Sequence, residues 1–189
     1  MINLLGILEE SEVNGPGKRM VIWFQGCHRH CVGCFNPESW DFSARHLWEV
    51  DDLVERIKKA DPEGLTISGG EPFEQSEELL ALLRGLHEGD TLIGLPKGII
   101  SFTGYQYEEL LRKNRTTRDC LSYIDVVIDG AFEEGLKQEH QLCGSSNQRF
   151  HFLEQTDRGK ERVKADELSI DQAIEIHIVE DEIVVTGFY

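Results

Sequence analysis

Met20-Val21-Ile22-Trp23-Phe24-Gln25-Gly26-Cys27-His28-Arg29-His30-Cys31-Val32-Gly33-Cys34 is the stretch on which the reading of this chain turns. Its first five residues are an unbroken apolar run that ends just before Gly26, the pattern of a short strand buried on both faces. Three cysteines follow, spaced Cys-x3-Cys-x2-Cys, in a loop that continues through Pro37. The same strand-then-loop unit recurs downstream. Leu65–Ser68 runs into Gly69-Gly70-Glu71-Pro72, Ile99–Phe102 into Thr103-Gly104-Tyr105, and Ile124–Ile128 into Asp129-Gly130. Helical spacing lies between these units. Leu47, Val50, Leu53, Val54 and Ile57 predict a helix from Leu47 to Ala60, stopped by Pro62 and Gly64. A second helix is expected to start at Ser76 as its N-cap, with Glu77 and Glu78 in the first turn. A short third helix is expected over Tyr107–Lys113. Strands alternating with helices predict an α/β fold with a parallel sheet. Ligands of such sheets bind beyond the carboxyl ends of the strands, so the four loops are expected to share one rim.

The chain outside these units is of ordinary globular make-up. It has 189 residues, 40% of them hydrophobic, and one domain is the expectation from length. Lys and Arg number 19 against 35 Asp and Glu, a formal charge of −16. That balance argues against a nucleic-acid-coating role and against adhesion to anionic lipid. No apolar run is long enough for a membrane span, and the start, Met1-Ile2-Asn3-Leu4-Leu5, lacks the basic region of a secretory signal. A cytoplasmic location is expected. The acidity avoids the cysteine loop, where Arg29 and Arg45 balance Glu38 and Asp41. It loads the end of the chain instead: residues 160–189 carry three Lys or Arg against eight Asp or Glu. Such a flank keeps a protein soluble or meets a basic partner surface. That end also reads as a β-hairpin, Ile174-x-Ile176-x-Ile178 followed by Ile183-Val184-Val185, with Glu175 and His177 on its polar, exposed side. The charged stretch Thr156–Glu167 is expected to link it to the body, giving a division into residues 1–155 and an acidic extension, 156–189.

Five cysteines, an odd number, do not suit a secreted disulfide framework. Cys120 and Cys143 stand alone and read as small buried hydrophobes. The triplet is different, because thiolates are soft ligands that suit iron–sulfur centres or zinc. A cubane [4Fe–4S] cluster held by three Cys keeps one iron without a protein ligand, and an open coordination position is where a substrate binds. The alternative is a Cys3His zinc site with His28, His30 or His46 as the fourth ligand.

The triplet together with Gly69-Gly70-Glu71-Pro72, each after a predicted strand, resembles the radical S-adenosylmethionine superfamily. The resemblance implies that Cys27, Cys31 and Cys34 hold a [4Fe–4S] cluster, whose unique iron is chelated by the amino and carboxylate groups of S-adenosylmethionine. It implies that the loop of Gly69, Gly70 and Glu71 holds the methionine amino group. Reductive cleavage of the sulfonium bond then yields a 5′-deoxyadenosyl radical. Glu71 can accept charge-assisted hydrogen bonds from an ammonium. Gly33 and Phe35 flank Cys34 and are candidates to meet the adenine, and Thr103 is a further cofactor-contact candidate.

Further pieces narrow the likeness. Asn14-Gly15-Pro16-Gly17, Asn36-Pro37 with Trp40, Thr103-Gly104-Tyr105, Asp129-Gly130 and Gly144-Ser145-Ser146-Asn147-Gln148-Arg149 occur in order. That series is similar to the activating proteins of anaerobic ribonucleoside-triphosphate reductase and covers Asn14 to Phe152. The resemblance implies a small partial (βα) barrel of the radical S-adenosylmethionine type, here with a C-terminal hairpin extension. It implies hydrogen abstraction from a glycine Cα on the large subunit of the reductase, and a flavodoxin-like or other low-potential electron donor. Asn36-Pro37-Glu38-Ser39-Trp40 also looks like activases of the pyruvate formate-lyase type. A non-enzymatic zinc or iron–sulfur module that docks to a partner is the alternative from another class. The family pattern ends soon after Gly144–Arg149, whereas this chain continues to Tyr189, and Cys143 stands directly before that segment where the pattern has no thiol.

Overall fold

The computed structural model describes residues 1–87, 95–138, 142–153, 163–168, 174–179 and 182–187. Strands β1 (Ile2–Ser11) and β2 (Arg19–Phe24) open the chain, followed by β3 (His46–Trp48) and helix α1 (Val50–Ala60). Then come β4 (Gly64–Gly69), α2 (Ser76–His87), β5 (Ile99–Phe102), α3 (Tyr107–Lys113), α4 (Arg115–Leu121), β6 (Val126–Asp129) and β7 (Arg149–Phe152). Strands β8 (Ile174–Val179) and β9 (Glu182–Gly187) form the hairpin. The first seven strands make one sheet in the order β3-β1-β2-β4-β5-β6-β7, and β8 with β9 make a separate two-stranded sheet. The fold is therefore mixed α/β.

The four parallel strands, β2, β4, β5 and β6, are the ones whose sequences read as apolar runs. The sheet is not parallel throughout, however. β1 and β3 extend it antiparallel on one side and β7 on the other. Burial on both faces explains the legible runs. Met20, Ile22, Phe24, Leu65, Ile67 and Ile99 face a core completed by Leu53 and Ile57 of α1 and Leu79, Leu83 and Leu86 of α2. Ile100, Val126 and Ile128 point the other way, against Leu142, Cys143, Val163 and Leu168. Cys120 joins the first core and Cys143 the second. Both are fully buried, and burial raises both thiols to about 12.

Two helix starts differ from expectation. His46, Leu47 and Trp48 pair with β1 as a strand, so α1 begins at Val50 rather than Leu47. Its ends match the helix dipole, with Asp51 and Asp52 in the first turn and Lys58 and Lys59 in the last. Before α2, Pro72–Gln75 forms a 3₁₀ turn whose N-cap is Glu71, so Ser76 is already helical and its Oγ donates to Phe73 O.

Between β1 and β2 the chain turns over Arg19, which has no exposed surface. Its guanidinium donates to Thr66 Oγ1 and to the carbonyls of Pro16, Leu65, Lys97 and Gly98 at 2.7–3.0 Å. Burial lowers its pKa to about 9, so the buried cation ties the amino ends of β2, β4 and β5 together through their backbone oxygens. No helix among the described residues is long and apolar enough to cross a membrane.

The hairpin corrects the expected exposure of its two faces. Glu175 and Thr186 oppose each other on the face that meets the body. There Glu12 N donates to Glu175 Oε1 at 2.8 Å, and Asn14 Nδ2 donates to Thr186 Oγ1 at 2.9 Å. His177 lies on that same half-buried side, with Nε2 3.1 Å from Glu175 Oε2. The isoleucines face outward. The expected link over Thr156–Glu167 lies outside the described residues up to 162. From Val163 to Leu168 the chain packs against β5 and β6.

Candidate functional site

Each parallel strand ends where its loop must turn across the carboxyl edge of the sheet, and all four loops reach one cleft of about 170 Å³. Cys27, Cys31 and Cys34 all line it, as do Phe35, Gly69, Gly70, Glu71, Thr103 and Gly104. The expected convergence on one rim is thus present for the cysteine, glycine-pair and threonine loops. From the fourth, Gly130 lines the cleft, while Asp129 is drawn away from it. The Asp129 carboxylate accepts from Tyr107 N at 2.7 Å and pairs with Arg149 at 2.6 Å. Burial acts to raise its pKa, but the hydrogen bonds from Arg149 and Tyr107 prevail and hold it below the usual carboxylate range.

The cysteine loop is shaped by backbone bonds to the segment that follows it. Gly26 N donates to Ser39 O at 2.7 Å, and Cys27 N to Trp40 O at 3.2 Å. All three cysteines line the cleft, but among the described residues no group of three or more His, Cys, Asp or Glu side chains stands at metal-holding separations. Burial raises the Cys27 and Cys31 thiols, so ligation of a metal there releases protons.

In the loop after β4, Gly69 and Gly70 carry no side chain because none would fit. A Cβ on Gly70 would lie 2.5 Å from Gly26 O and 3.0 Å from Ser39 O, in the root of the cysteine loop. Gly69 has φ +99°, and its Cβ would meet Phe24 N and stand 2.6 Å from Phe24 O. The glycine pair thus lets the β4 loop lie directly against the cysteine loop.

Glu71 is almost completely buried, and its carboxylate is already engaged. It accepts from Thr103 Oγ1 at 2.9 and 3.1 Å, from Gly104 N at 2.8 Å and from Phe73 N at 3.1 Å. Burial raises its pKa to about 7 against the pull of these bonds. The side chain therefore joins the loops after β4 and β5 and remains on the cleft wall. Gly33 has a different setting: φ is +73°, and its α-carbon faces Glu134. Phe35 forms an aromatic wall with Phe132, ring centroids 5.2 Å apart.

Of the Gly144–Arg149 segment, Gly144 and Gln148 line the cleft. Asn147 and Gln148 serve the loop backbone: Asn147 Nδ2 donates to Ala131 O, and Gln148 bridges Gly130 O and Gly144 N. Phe132 stands alone in sequence between loops and had no pattern to mark it. Val185, Thr186 and Gly187 reach the cleft from the far end of the chain, which spacing along the sequence cannot reveal.

The donor set and the cradle fit an iron–sulfur cluster better than zinc. Three thiols share the cleft, and among the described residues that line it none is histidine. His28 packs on Phe42, His30 stacks on Trp40, and His46 is exposed in β3.

Comparisons with known proteins agree with that donor set. Residues 13–151 match the model of a 4Fe-4S single cluster domain. An anaerobic ribonucleoside-triphosphate reductase-activating protein of Enterobacteria phage T4 is 33% identical over 142 residues, which cover 72% of this chain and 85% of that one. Its namesake in Haemophilus influenzae is 35% identical, over 79% of this chain and 97% of its own length. That of Escherichia coli is 31% identical, over 75% and 92%. With the cluster-domain match spanning most of the chain and nearly the full length of such relatives aligned to it, this chain belongs to the family of anaerobic ribonucleoside-triphosphate reductase-activating proteins.

Proposed function

We propose that this protein is a radical S-adenosylmethionine oxidoreductase that makes a glycyl radical on the large subunit of an anaerobic ribonucleoside-triphosphate reductase. The observation that carries the reading is the meeting of all three cysteines with Gly69, Gly70 and Glu71 in one cleft at the carboxyl edge of the parallel strands. When bound there, a [4Fe–4S] cluster and S-adenosylmethionine supply a 5′-deoxyadenosyl radical that takes a hydrogen atom from a glycine Cα. The chain's own residues bind, orient and shield. Cys27, Cys31 and Cys34 are the cluster ligands in this reading. The bare glycine edge admits the cofactor's methionine end close to the backbone, and the carboxylate of Glu71, held by Thr103 and Gly104, supplies negative charge toward an ammonium. Phe35 and Phe132 form an apolar wall that excludes water from the adenine side. Gly33 acts through backbone shape, setting the turn between Cys31 and Cys34.

The open sheet with helices on one face supports assignment to the partial (βα) barrel type, with residues 1–155 as the chemical body and 156–189 as an extension. A cytoplasmic, anaerobic setting and a low-potential, flavodoxin-like electron donor belong to the same reading. The relatives above all carry the reductase activase name, which favours this partner over a pyruvate formate-lyase type enzyme.

The test is anaerobic reconstitution followed by reduction with S-adenosylmethionine and the reductase. A broad absorption near about 400 nm, release of methionine and a glycyl doublet in electron paramagnetic resonance are expected. A colourless protein with stoichiometric zinc contradicts the enzyme reading. Methionine release without a glycyl doublet contradicts the partner.

A further inference from the structure

The hairpin is amphipathic in the reverse sense for a surface element. Its polar face, Glu175 and Thr186, is bonded to the body through Glu12 and Asn14. Its apolar face, made of Ile174, Ile176, Ile178, Ile183 and Val185, is turned to solvent, with Ile178 79% and Ile183 70% exposed. Cross-strand pairing makes the patch continuous, since Ile176 opposes Val185 and Ile178 opposes Ile183. A two-stranded sheet is marginal by itself, so the anchoring bonds set which face looks out. A contiguous aliphatic patch held outward in this way marks an interaction surface.

Its place in the fold identifies what covers it. Val185, Thr186 and Gly187 of β9 line the same cleft as the three cysteines, so the apolar face runs up to the mouth of that cleft. A protein that delivers a backbone glycine into the cleft must lay its neighbouring surface across this rim, whereas a small molecule would leave the outer isoleucines bare. The segment from residue 160 to 189, with three basic and eight acidic residues, surrounds the patch in sequence with negative charge.

We infer that the hairpin's outer face docks the protein substrate beside its reactive glycine, through a partner surface with an apolar centre and a basic rim. The inference rests on the activase reading above and extends it to a surface that the Asn14–Phe152 pattern does not contain.

The test uses the full-length, reconstituted protein and a triple variant, Ile176→Ser, Ile178→Ser and Ile183→Ser, all exposed positions away from the cleft lining. Methionine release without the reductase reports the intact cluster site and is expected to match the unaltered protein. The reductase concentration giving half-maximal glycyl radical is expected to rise roughly ten-fold or more, as loss of a few central interface side chains does. An unchanged concentration dependence in the variant overturns the inference while leaving the activase reading in place. So does a variant that changes only the sedimentation of the protein alone, because the face then joins two copies of this chain. If the unaltered protein releases methionine yet never yields a glycyl doublet, the reductase reading fails, and the inference with it.

Discussion

Replacing Gly69 by Ala tests the packing on which the cleft depends. The residue holds φ +99°, where an L side chain is strained by roughly 1–3 kcal/mol. The added Cβ would stand 2.6 Å from Phe24 O and 2.7 Å from Trp23 C. Comfortable contact needs about 3.5 Å, so β4 must move from β2 by nearly 1 Å, an overpacking cost of roughly 1–3 kcal/mol. That shift also breaks the bond from Gly70 N to Phe24 O, 2.8 Å long, which adds about 1 kcal/mol. The expected destabilisation is therefore about 3–7 kcal/mol, a large part of the roughly 5–15 kcal/mol available to a domain. Gly6→Ala is the internal control: it adds the same methyl where nothing lies within 4 Å, and reduced chain entropy makes it neutral or stabilising by about 0.5 kcal/mol. Urea unfolding of the metal-free chain, extrapolated linearly to water, gives both values. If Gly69→Ala lies within about 0.5 kcal/mol of Gly6→Ala, a difference too small for the strain and contact costs derived above, the close approach is not what requires glycine there.

Further outcomes follow from other contacts. Cys27→Ala, Cys31→Ala and Cys34→Ala should each abolish the iron–sulfur absorption, whereas Cys120→Ala and Cys143→Ala, in the two apolar cores, should retain it and lose on the order of 1 kcal/mol of stability; loss of the band in either of the latter refutes their structural role. The Glu71 carboxyl titrates at about 7 in the fold against 4.5 in the free chain, so the folded state holds a proton that the unfolded state releases. Its contribution is therefore fully present below the lower value and falls as pH rises through the interval, by about 3 kcal/mol, then stays flat. The stability difference between the metal-free protein and Glu71→Gln should change by that order between those pH values, and a pH-independent difference would falsify the assignment. Arg19→Met removes the guanidinium that donates to the carbonyls of Pro16, Leu65, Lys97 and Gly98, of which Gly98 O keeps its bond from Leu65 N, and should cost roughly 3–5 kcal/mol; denaturant midpoints equal to those of the unaltered chain would show that these bonds do not hold the strand ends.

Much of the site was legible because its chemistry is local. Three thiols in one loop, and two glycines before a glutamate after the next strand, are short-range patterns with few alternative uses. The role of Glu71 was only half legible: its carboxylate reaches the cleft wall, yet its bonds go to Thr103 and Gly104, more than thirty positions along the chain. The strands β1, β3 and β7 lacked a marker because they are partly exposed and short or irregular, so alternation is blurred. β1 carries two register breaks in its pairing with β2, and β3 is three residues long.

The α/β class, the four parallel strands and the clustering of three thiols in one loop were legible along the chain, since burial on both faces writes continuous apolar runs and a thiol cluster is a local pattern. Tertiary structure alone decided the sheet's antiparallel flanks, the Arg19 tie and the orientation of the hairpin. Alternation along β8 shows that the strand has two faces, but either can turn inward. The hydrogen bonds to Glu12 and Asn14, more than 160 positions away, are what turn the polar face in and leave the isoleucines outside.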